Sequence, residues 1–263
     1  MRFFYFLLSG FIFSTQLSAQ RIISLLPSYT EIIYELGAGD KLVGVTNFCN
    51  YPDDAKGKEK VGDYLNPDLE KIYLLKPDII FVGEWKNDFI KKMRKLNSRI
   101  VVLKQEKDIN DIYLTIKTIG KYIKREEQSK ELISKIKKSI PANINKKYLK
   151  VYIEIDQGGW SAGSESFISD VVSKAGGINI FSDIKTPYFK AEWEEVLKRN
   201  PDYILLLNTK IDEFKKRPMT AEMKAVKNSN IYLFNEQERD IISRPSPRVV
   251  GIIKKLSELF SND

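Results

Sequence analysis

A unit made of a short helix, a Pro-Asp turn and an apolar strand occurs twice in this sequence and restricts the folds open to it. The first copy leads from Glu70 to Pro77-Asp78 and the second from Glu194 to Pro201-Asp202, with seven residues from glutamate to proline in both. Pro-Asp favours a turn, so a strand can enter the sheet directly after the helix. Strands that alternate with helices at this spacing are typical of parallel, doubly wound sheets. The sequence therefore predicts an α/β protein with two related lobes.

Other segments fit the same alternation. Strands are predicted at 21–26, 42–45, 79–82 and 150–155 from their continuous apolar runs. Ser28 and Glu31 have the spacing of a capping box, which predicts that a helix begins there and continues to Gly37. A similar segment runs from Ser166 to Gly176-Gly177. We expect it to be the counterpart of this helix in the second lobe.

Four segments are predicted along the chain. Residues 1–19 contain Arg2, an apolar run and a small-residue end at Ala19, as in a secretory signal peptide. A transmembrane helix needs about 20 apolar residues, more than this run supplies. We therefore expect cleavage near Ala19 and a soluble, periplasmic protein. An N-terminal α/β lobe is predicted over 20–122, a bridging helix over 123–146 and a C-terminal α/β lobe over 147–263.

The residue types that are absent exclude several functions. The chain has no histidine and a single cysteine, Cys49, which excludes histidine-based triads, histidine metal ligands and an intrachain disulfide. Residues 159–163 match the G-x-S-x-G nucleophile motif, but no histidine is present to activate Ser161, so a glycine-rich turn is the preferred interpretation. The net charge of +8 comes from lysines mixed with acids, without the pattern of a nucleic-acid surface. We expect no enzyme, no resident cofactor or metal, and no nucleic-acid partner.

Aromatic side chains gather where predicted strands or turns end, a position that faces the ligand crevice in open parallel sheets. Aromatic walls on both lobes favour a broad, partly apolar ligand. Arg239 and Arg244 precede the final helix, and each either holds a ligand or pairs with an acid. The aromatic residues are Phe48, Tyr51, Tyr64 and Trp85 in the first half and Trp160, Tyr188, Phe189 and Trp193 in the second.

A series of short motifs follows in order along the chain. They are Ser24-Leu-Leu-Pro27-Ser28-Tyr-Thr30-Glu31, Asn50-Tyr51-Pro52, Val61-Gly62, Leu69-Glu70, Leu75-Lys76-Pro77-Asp78, Gly176-Gly177-Ile-Asn179-Ile-Phe181 and Ser246-Pro247-Arg248. With them the chain resembles the periplasmic cobalamin-binding proteins of ABC importers, within the wider cobalamin, ferric-siderophore and haem group. The resemblance implies two Rossmann-like lobes with parallel sheets, bridged by a long helix. It also implies a monomer that delivers cobalamin or a related corrinoid to an inner-membrane ABC permease dimer, with a ferric siderophore or haem as the alternative cargo.

The resemblance also implies roles for individual residues. Glu70 and Glu194 match two surface glutamates, one per lobe, that such proteins present to arginines of the permease; solvated helix glutamates are the alternative interpretation. Tyr64 and Gly83 stand where cobalamin binders have tryptophan, with Trp85 as a substitute two residues away. This departure leaves the preference for a corrin open. The positions that match ligand contacts are Pro27, Tyr51, Tyr64, Trp85, Tyr188, Phe189 and Arg244.

Overall fold

The apolar runs of the first half form the strands of one sheet. The computed structural model describes residues 20–84, 87–141 and 149–261. The strands of the first half are β1 (Ile22–Ser24), β2 (Leu42–Val45), β3 (Ile79–Gly83) and β4 (Arg99–Leu103). They are all parallel and lie in the order β2-β1-β3-β4. The helices are α1 (Pro27–Glu35), α2 (Asp53–Lys56), α3 (Leu69–Leu74), α4 (Asn87–Met93), α5 (Ile109–Ile123) and α6 (Glu126–Ser139).

The second half forms a separate sheet of six strands, in the order β10-β9-β5-β6-β8 with β7 beside β5. Its strands are β5 (Leu149–Glu154), β6 (Trp160–Ala162), β7 (Gly177–Asn179), β8 (Tyr188–Lys190), β9 (Tyr203–Leu206) and β10 (Ile231–Leu233). Its helices are α7 (Phe167–Lys174), α8 (Trp193–Arg199), α9 (Ile211–Lys215), α10 (Lys224–Lys227), α11 (Glu236–Ile242) and α12 (Val249–Ser261).

The second sheet is mixed, whereas parallel sheets were expected in both lobes. β6 runs antiparallel to both β5 and β8. The cause is a tight turn after β5, in which Gly159 has a φ of +80° and its N–H donates to the carbonyl of Asp156 at 3.1 Å. Glycine adopts this conformation without the steric cost of a Cβ. The glycine-rich segment is thus a turn, as the sequence predicts. The turn closes a hairpin and so reverses the direction of β6, which the sequence does not indicate.

The two predicted helix-turn-strand units adopt the same backbone geometry. α3 and α8 are each followed by a residue with left-handed φ, Lys76 at 45° and Asn200 at 43°. The carboxylate of Asp78 accepts the backbone N–H of Arg21 at 2.7 Å, and that of Asp202 accepts the backbone N–H of Lys150 at 2.8 Å. Each aspartate therefore ties its turn to the start of the neighbouring strand. The sequence repeat is a structural repeat at this point.

The predicted capping box at Ser28 is wrong. α1 starts at Pro27, and its N-cap residue, Leu26, makes no side-chain capping bond. Proline suits the first turn of a helix because its missing N–H would have no intrahelical partner there. In α7, by contrast, Ser166 is the N-cap residue and accepts the backbone N–H of Ser169. Ser166 is thus the counterpart of Leu26 and not of Ser28, and Glu31 is free for another partner.

The segment predicted as a bridging helix contains a break at its start. Lys124 has a left-handed φ of 60°, which ends α5, and α6 begins at Glu126. α6 lies inside the predicted range 123–146, while residues 142–148 lie outside the described residues. α5 packs against α1 of the first lobe and α7 of the second, and buried apolar residues of both lobes belong to one cluster. The division of the chain at 122 and 147 stays a prediction.

The predicted signal peptide, residues 1–19, lies outside the described residues. Across residues 20–84, 87–141 and 149–261, no helix has the length and apolar character needed to cross a membrane.

Candidate functional site

A cleft of about 570 Å³ lies between the two lobes and is lined by both. Its first wall comes from segments that follow strands of the parallel sheet, where ligands bind in open α/β sheets. Its second wall comes from the start of α7, the start of β8 and the loop between α11 and α12. The first wall includes Leu26, Pro27, Phe48, Tyr64, Gln105 and Glu106, and the second includes Glu165, Phe167, Pro187, Tyr188, Arg244 and Pro245.

Aromatic rings face the cleft from both lobes. Phe48 and Tyr64 stand on the first wall, and Phe167 and Tyr188 on the second. Phe48 and Tyr188 are 54% and 42% exposed, so they present apolar surface that no part of the described chain covers. Planar rings on two facing walls can bury a broad ligand by stacking and area contact.

The predicted ligand-contacting residues divide into three groups. Pro27, Tyr64, Tyr188 and Arg244 line the cleft. Tyr51 and Phe189 are not among its lining residues. The ring of Tyr51 lies 3.9 Å beneath the guanidinium of Arg248, and that of Phe189 packs edge-to-face on Phe181 at 5.0 Å in the core of the second lobe. Trp85 lies outside the described residues.

Sequence reasoning missed several lining residues, chiefly Phe167, Gln105, Glu106 and Glu165. Phe167 is the first residue of α7, as Pro27 is the first residue of α1. The internal repeat therefore contained a signal for Phe167, but pairing Ser166 with Ser28 hid it. No local pattern marks Glu106 as a cleft residue, because its position depends on the loop between β4 and α5.

Arg244 belongs to a polar cluster that joins the lobes. Its guanidinium donates to the side-chain oxygen of Asn50 at 2.6 Å and to Asp240 at 2.9 Å, and reaches Glu31 at 3.4 Å. Arg248 forms a two-pronged pair with Glu31, at 2.9 Å through Nε and 2.5 Å through Nη2. Glu31 is 1% exposed. Arg244 therefore pairs with acids, one of the two interpretations left open, while ligand contact by this cleft residue stays a prediction. Arg239 donates to the backbone carbonyls of Leu207 and Phe234.

A second set of polar contacts crosses between the lobes at α5. Lys107 pairs with Glu165 at 3.2 Å, and the backbone N–H of Ile109 donates to the carboxylate of Asp170 at 2.9 Å. Burial raises the pKa of Asp170, and the hydrogen bond from Ile109 opposes that rise. The cleft is therefore bounded by polar contacts that join the two lobes.

Glu106 is a buried carboxyl group on the wall of the cleft. The residue is 6% exposed, and its Oε1 accepts the hydroxyl of Thr115 at 2.6 Å. Burial raises the pKa of Glu106 to about 7; hydrogen bonds from Thr115 and from the backbone N–H of Glu106 itself oppose this rise, and the charges of Asp111 and Glu84 add to it. Near neutral pH this carboxyl exists in both protonation states.

Glu70 and Glu194 occupy the same position in their two helices, the second residue of α3 and of α8. Both are exposed, and neither forms an ion pair with any residue in the described ranges. The buried residues behind them, Ile72 and Val196, also correspond. Each lobe thus presents one solvated carboxylate from an equivalent helix.

Ser161 and Cys49, the residues of the chain with nucleophile-type side chains discussed above, are both buried. The hydroxyl of Ser161 donates to the backbone carbonyl of Ile153 at 2.7 Å. Cys49 is a free thiol, 1% exposed, with its sulfur 3.2 Å from the hydroxyls of Thr30 and Thr46. Both side chains are used in packing and internal hydrogen bonds.

Comparison with known proteins gives a family match over most of the chain. A family model described as periplasmic binding protein matches residues 22–238. A vitamin B12-binding protein from Vibrio cholerae is 31% identical over 253 residues, covering 90% of this chain and 88% of the relative. An uncharacterised ABC transporter substrate-binding lipoprotein from Bacillus subtilis is 30% identical over 258 residues, covering 93% of this chain and 81% of the relative.

A solved structure has the same architecture. It is a possible iron-binding, periplasmic solute-binding protein from Staphylococcus epidermidis, with 32% identity and a TM-score of 0.81. The match covers 92% of this chain and 98% of that one. These similarities extend across both lobes and the cleft between them.

Proposed function

The chain belongs to the periplasmic binding protein family, and from this premise we propose that it captures cobalamin or a related corrinoid and delivers it to an ABC permease. In this proposal the protein works outside the inner membrane after removal of residues 1–19, as a monomer. The ligand is held in the cleft between the lobes and is passed to the permease when both lobes dock.

The observation that supports this proposal is the pair of aromatic walls. Phe48 and Tyr64 face Phe167 and Tyr188 across a cleft of about 570 Å³, a size in the ordinary range of small-molecule sites. A corrinoid has a broad, flat macrocycle with polar amides at its edge. Rings suit the macrocycle, while Gln105, Glu106 and Arg244 at the margins suit amide groups.

Two relatives support different cargoes. The Vibrio cholerae relative is a vitamin B12-binding protein, whereas the Staphylococcus epidermidis structure is described as possibly iron-binding. A ferric siderophore or haem is therefore the second candidate. Tyrosine at position 64 keeps this candidate open, because a phenol can ligate ferric iron and the chain has no histidine.

Glu70 and Glu194 are the proposed contacts with the permease. A symmetric pair of solvated carboxylates, one on each lobe, suits a dimeric partner that offers one arginine per subunit. Because neither forms an ion pair among the described residues, docking would not require an existing pair to break. Such contacts set register and orientation more than affinity.

The cross-lobe bonds support a cleft formed before the ligand arrives. Glu31, Arg248 and Asp170 are part of contacts that hold the two walls at a fixed spacing. A preformed site avoids the cost of ordering the walls during binding.

Calorimetric titration of the purified protein with cyanocobalamin tests the proposed cargo. We expect saturable one-to-one binding at micromolar affinity or tighter, as for a transport protein that must capture a dilute ligand. Tyr64→Ala should weaken it by about 1–3 kcal/mol because a stacking wall is lost. Tyr73→Ala is the matched control, since Tyr73 lies on α3 and is 67% exposed outside the cleft.

The same titration separates the two candidates. Binding of a ferric siderophore or haem in place of cyanocobalamin would reject the corrinoid and retain a binding protein. Unchanged affinity in Tyr64→Ala would contradict the proposed use of this wall.

A further inference from the structure

Glu106 combines burial with a place on the wall of the cleft and a single side-chain donor. Thr115 donates to Oε1 at 2.6 Å, and no other described side chain donates to either carboxyl oxygen. A carboxylate has about four acceptor sites, so Glu106 can accept further hydrogen bonds. Since Glu106 lines the cleft, a bound ligand can supply a further donor.

A second buried polar atom lies in the helix next to this wall. The hydroxyl of Tyr29 is buried and has no hydrogen-bond partner among the described residues. Burial chiefly raises the pKa of this phenol, and the charge of Glu106 adds to the rise. The phenol therefore stays neutral, and it supplies no cation to neutralise Glu106. Glu106 lines the cleft, whereas Tyr29 lies in α1 behind Pro27 and Ser28, which line it.

The charged groups that shift the pKa of Glu106 are acids. Glu84, after β3, and Asp111, in α5, are acids that oppose its ionisation. Lys107, the next residue, is paired with Glu165 on the opposite wall at 3.2 Å. Arg244 on the opposite wall is bound to Asp240 and Asn50. Both of these cations thus already have acidic partners.

We infer that the Glu106 carboxylate is a polar subsite of the cleft that accepts a hydrogen bond from an amide N–H of the bound ligand. This inference rests on the proposed function and specifies which chemical group of the ligand the cleft recognises. Primary amides at the edge of a corrinoid have the required chemistry, since they donate and carry no charge. A ligand carboxylate at the same place would be repelled by the ionised form of Glu106.

Ligand binding through Glu106 depends on pH. A hydrogen bond from the ligand stabilises the ionised carboxylate and lowers the pKa of Glu106 from about 7 in the free protein. Binding therefore releases a proton, and affinity increases as pH rises. The chain has no histidine, so no imidazole contributes to this dependence. Cyanocobalamin does not titrate near neutral pH, so the dependence comes from the protein.

Titration with cyanocobalamin at pH 6, 7 and 8 tests the subsite. With a free-state pKa of about 7, we expect the dissociation constant to increase about tenfold from pH 8 to pH 6. Calorimetry at pH 7 in buffers of different ionisation enthalpy should show release of about half a proton per ligand. Glu106→Gln keeps the size and an acceptor oxygen but cannot titrate. It should abolish the pH dependence and weaken binding about fivefold at pH 8, as a charged acceptor becomes neutral.

Glu131→Gln is the control, because Glu131 is an exposed glutamate on α6 and does not line the cleft. It should keep the wild-type pH profile, and thermal melts should show that each variant is folded. Affinity that does not change between pH 6 and 8, or a wild-type slope in Glu106→Gln, would overturn the subsite while leaving cobalamin as the cargo. Absence of binding at every pH would instead reject the proposed cargo, and the subsite with it.

Discussion

The two lobes resemble each other where they build their own sheets and differ where they meet. In both, a Pro-Asp turn ends in an aspartate that accepts the backbone N–H at the start of the neighbouring strand, at 2.7 Å for Asp78 and 2.8 Å for Asp202. The helices beside the cleft differ. α7 begins with a serine cap, whereas α1 begins with Pro27 and places Glu31 against arginines of the other lobe. The hydrogen bonds of the Pro-Asp turns therefore occur in both lobes, whereas the ion pairs of Glu31 with the other lobe have no equivalent at α7.

This difference has a functional meaning in the proposed transport cycle. Equivalent surfaces on the two lobes suit a partner with twofold symmetry, because each subunit of the partner can make the same contact. A cleft for one asymmetric ligand needs walls that are not equivalent. The equivalent positions Glu70 and Glu194 face solvent, and the non-equivalent residues Glu106 and Arg244 line the cleft.

The largest expected effect tests whether the two lobes are equivalent in docking. Glu70→Ala and Glu194→Ala should each reduce cobalamin uptake in cells that express this protein with its own permease, and the double variant should abolish uptake. Cyanocobalamin affinity should stay within error of wild type, because both residues lie outside the cleft. Uptake assays with labelled ligand, run beside calorimetry, measure both quantities.

Glu131→Ala is the control for this pair, since Glu131 is also an exposed glutamate but lies on α6. It should transport normally. Full uptake by the double variant would show that the equivalent glutamates are solvated helix residues without a docking role.

The next largest effect tests the buried ion pair of Glu31, which has no equivalent at the start of α7. Glu31→Ala should lower the free energy of unfolding by about 3–5 kcal/mol, because it removes one partner of a buried ion pair and leaves Arg248 with its Tyr51 stacking alone. Ser166→Ala, at the corresponding start of α7, should cost only about 1 kcal/mol for a lost helix cap. Urea unfolding followed by circular dichroism measures both. Equal losses of unfolding free energy in the two variants would show that the Glu31 ion pair stabilises the protein no more than the helix cap at Ser166.

The smallest effect tests the repeated turn. Asp78→Ala and Asp202→Ala should each cost roughly 1 kcal/mol, since each leaves one backbone N–H without its charged acceptor. The loss at Asp202 should be slightly larger, because Lys224 also pairs with that carboxylate. Urea midpoints of the two variants should therefore lie close together. A large loss of stability in one variant alone would show that the two turns contribute differently to folding despite their similar sequences.

The sequence predicted what depends on neighbouring residues. The strand at Leu42–Val45, the helix at Leu69–Leu74 and the paired Pro-Asp turns follow from apolar runs and turn chemistry. The direction of β6 was not predicted, because one left-handed glycine after β5 decides it. Glu31 was assigned to a cap because serine and glutamate had the right spacing, although its partners, Arg244 and Arg248, are more than 200 residues away.

The cleft was predictable only in part for the same reason. Pro27, Tyr64, Tyr188 and Arg244 were identified by motif and resemblance, and all four line the cleft. Glu106 was not identified, because its significance comes from burial and from Thr115 in the following helix. Neither the burial of Glu106 nor its hydrogen bond to Thr115 can be inferred from the neighbouring sequence. Whether these residues bind the ligand stays a prediction.

The most direct test of the central proposal is a crystal structure of the protein grown with saturating cyanocobalamin, with data collected at the cobalt absorption edge. Cobalt gives a strong anomalous signal at this edge, well above that of the sulfur atoms of the cysteine and methionine residues. We expect a single cobalt peak in the cleft between the wall of Pro27 and Tyr64 and the wall of Tyr188. A cobalt peak elsewhere on the protein, or an empty cleft at saturating cyanocobalamin, would contradict the proposal that this cleft is a corrinoid site.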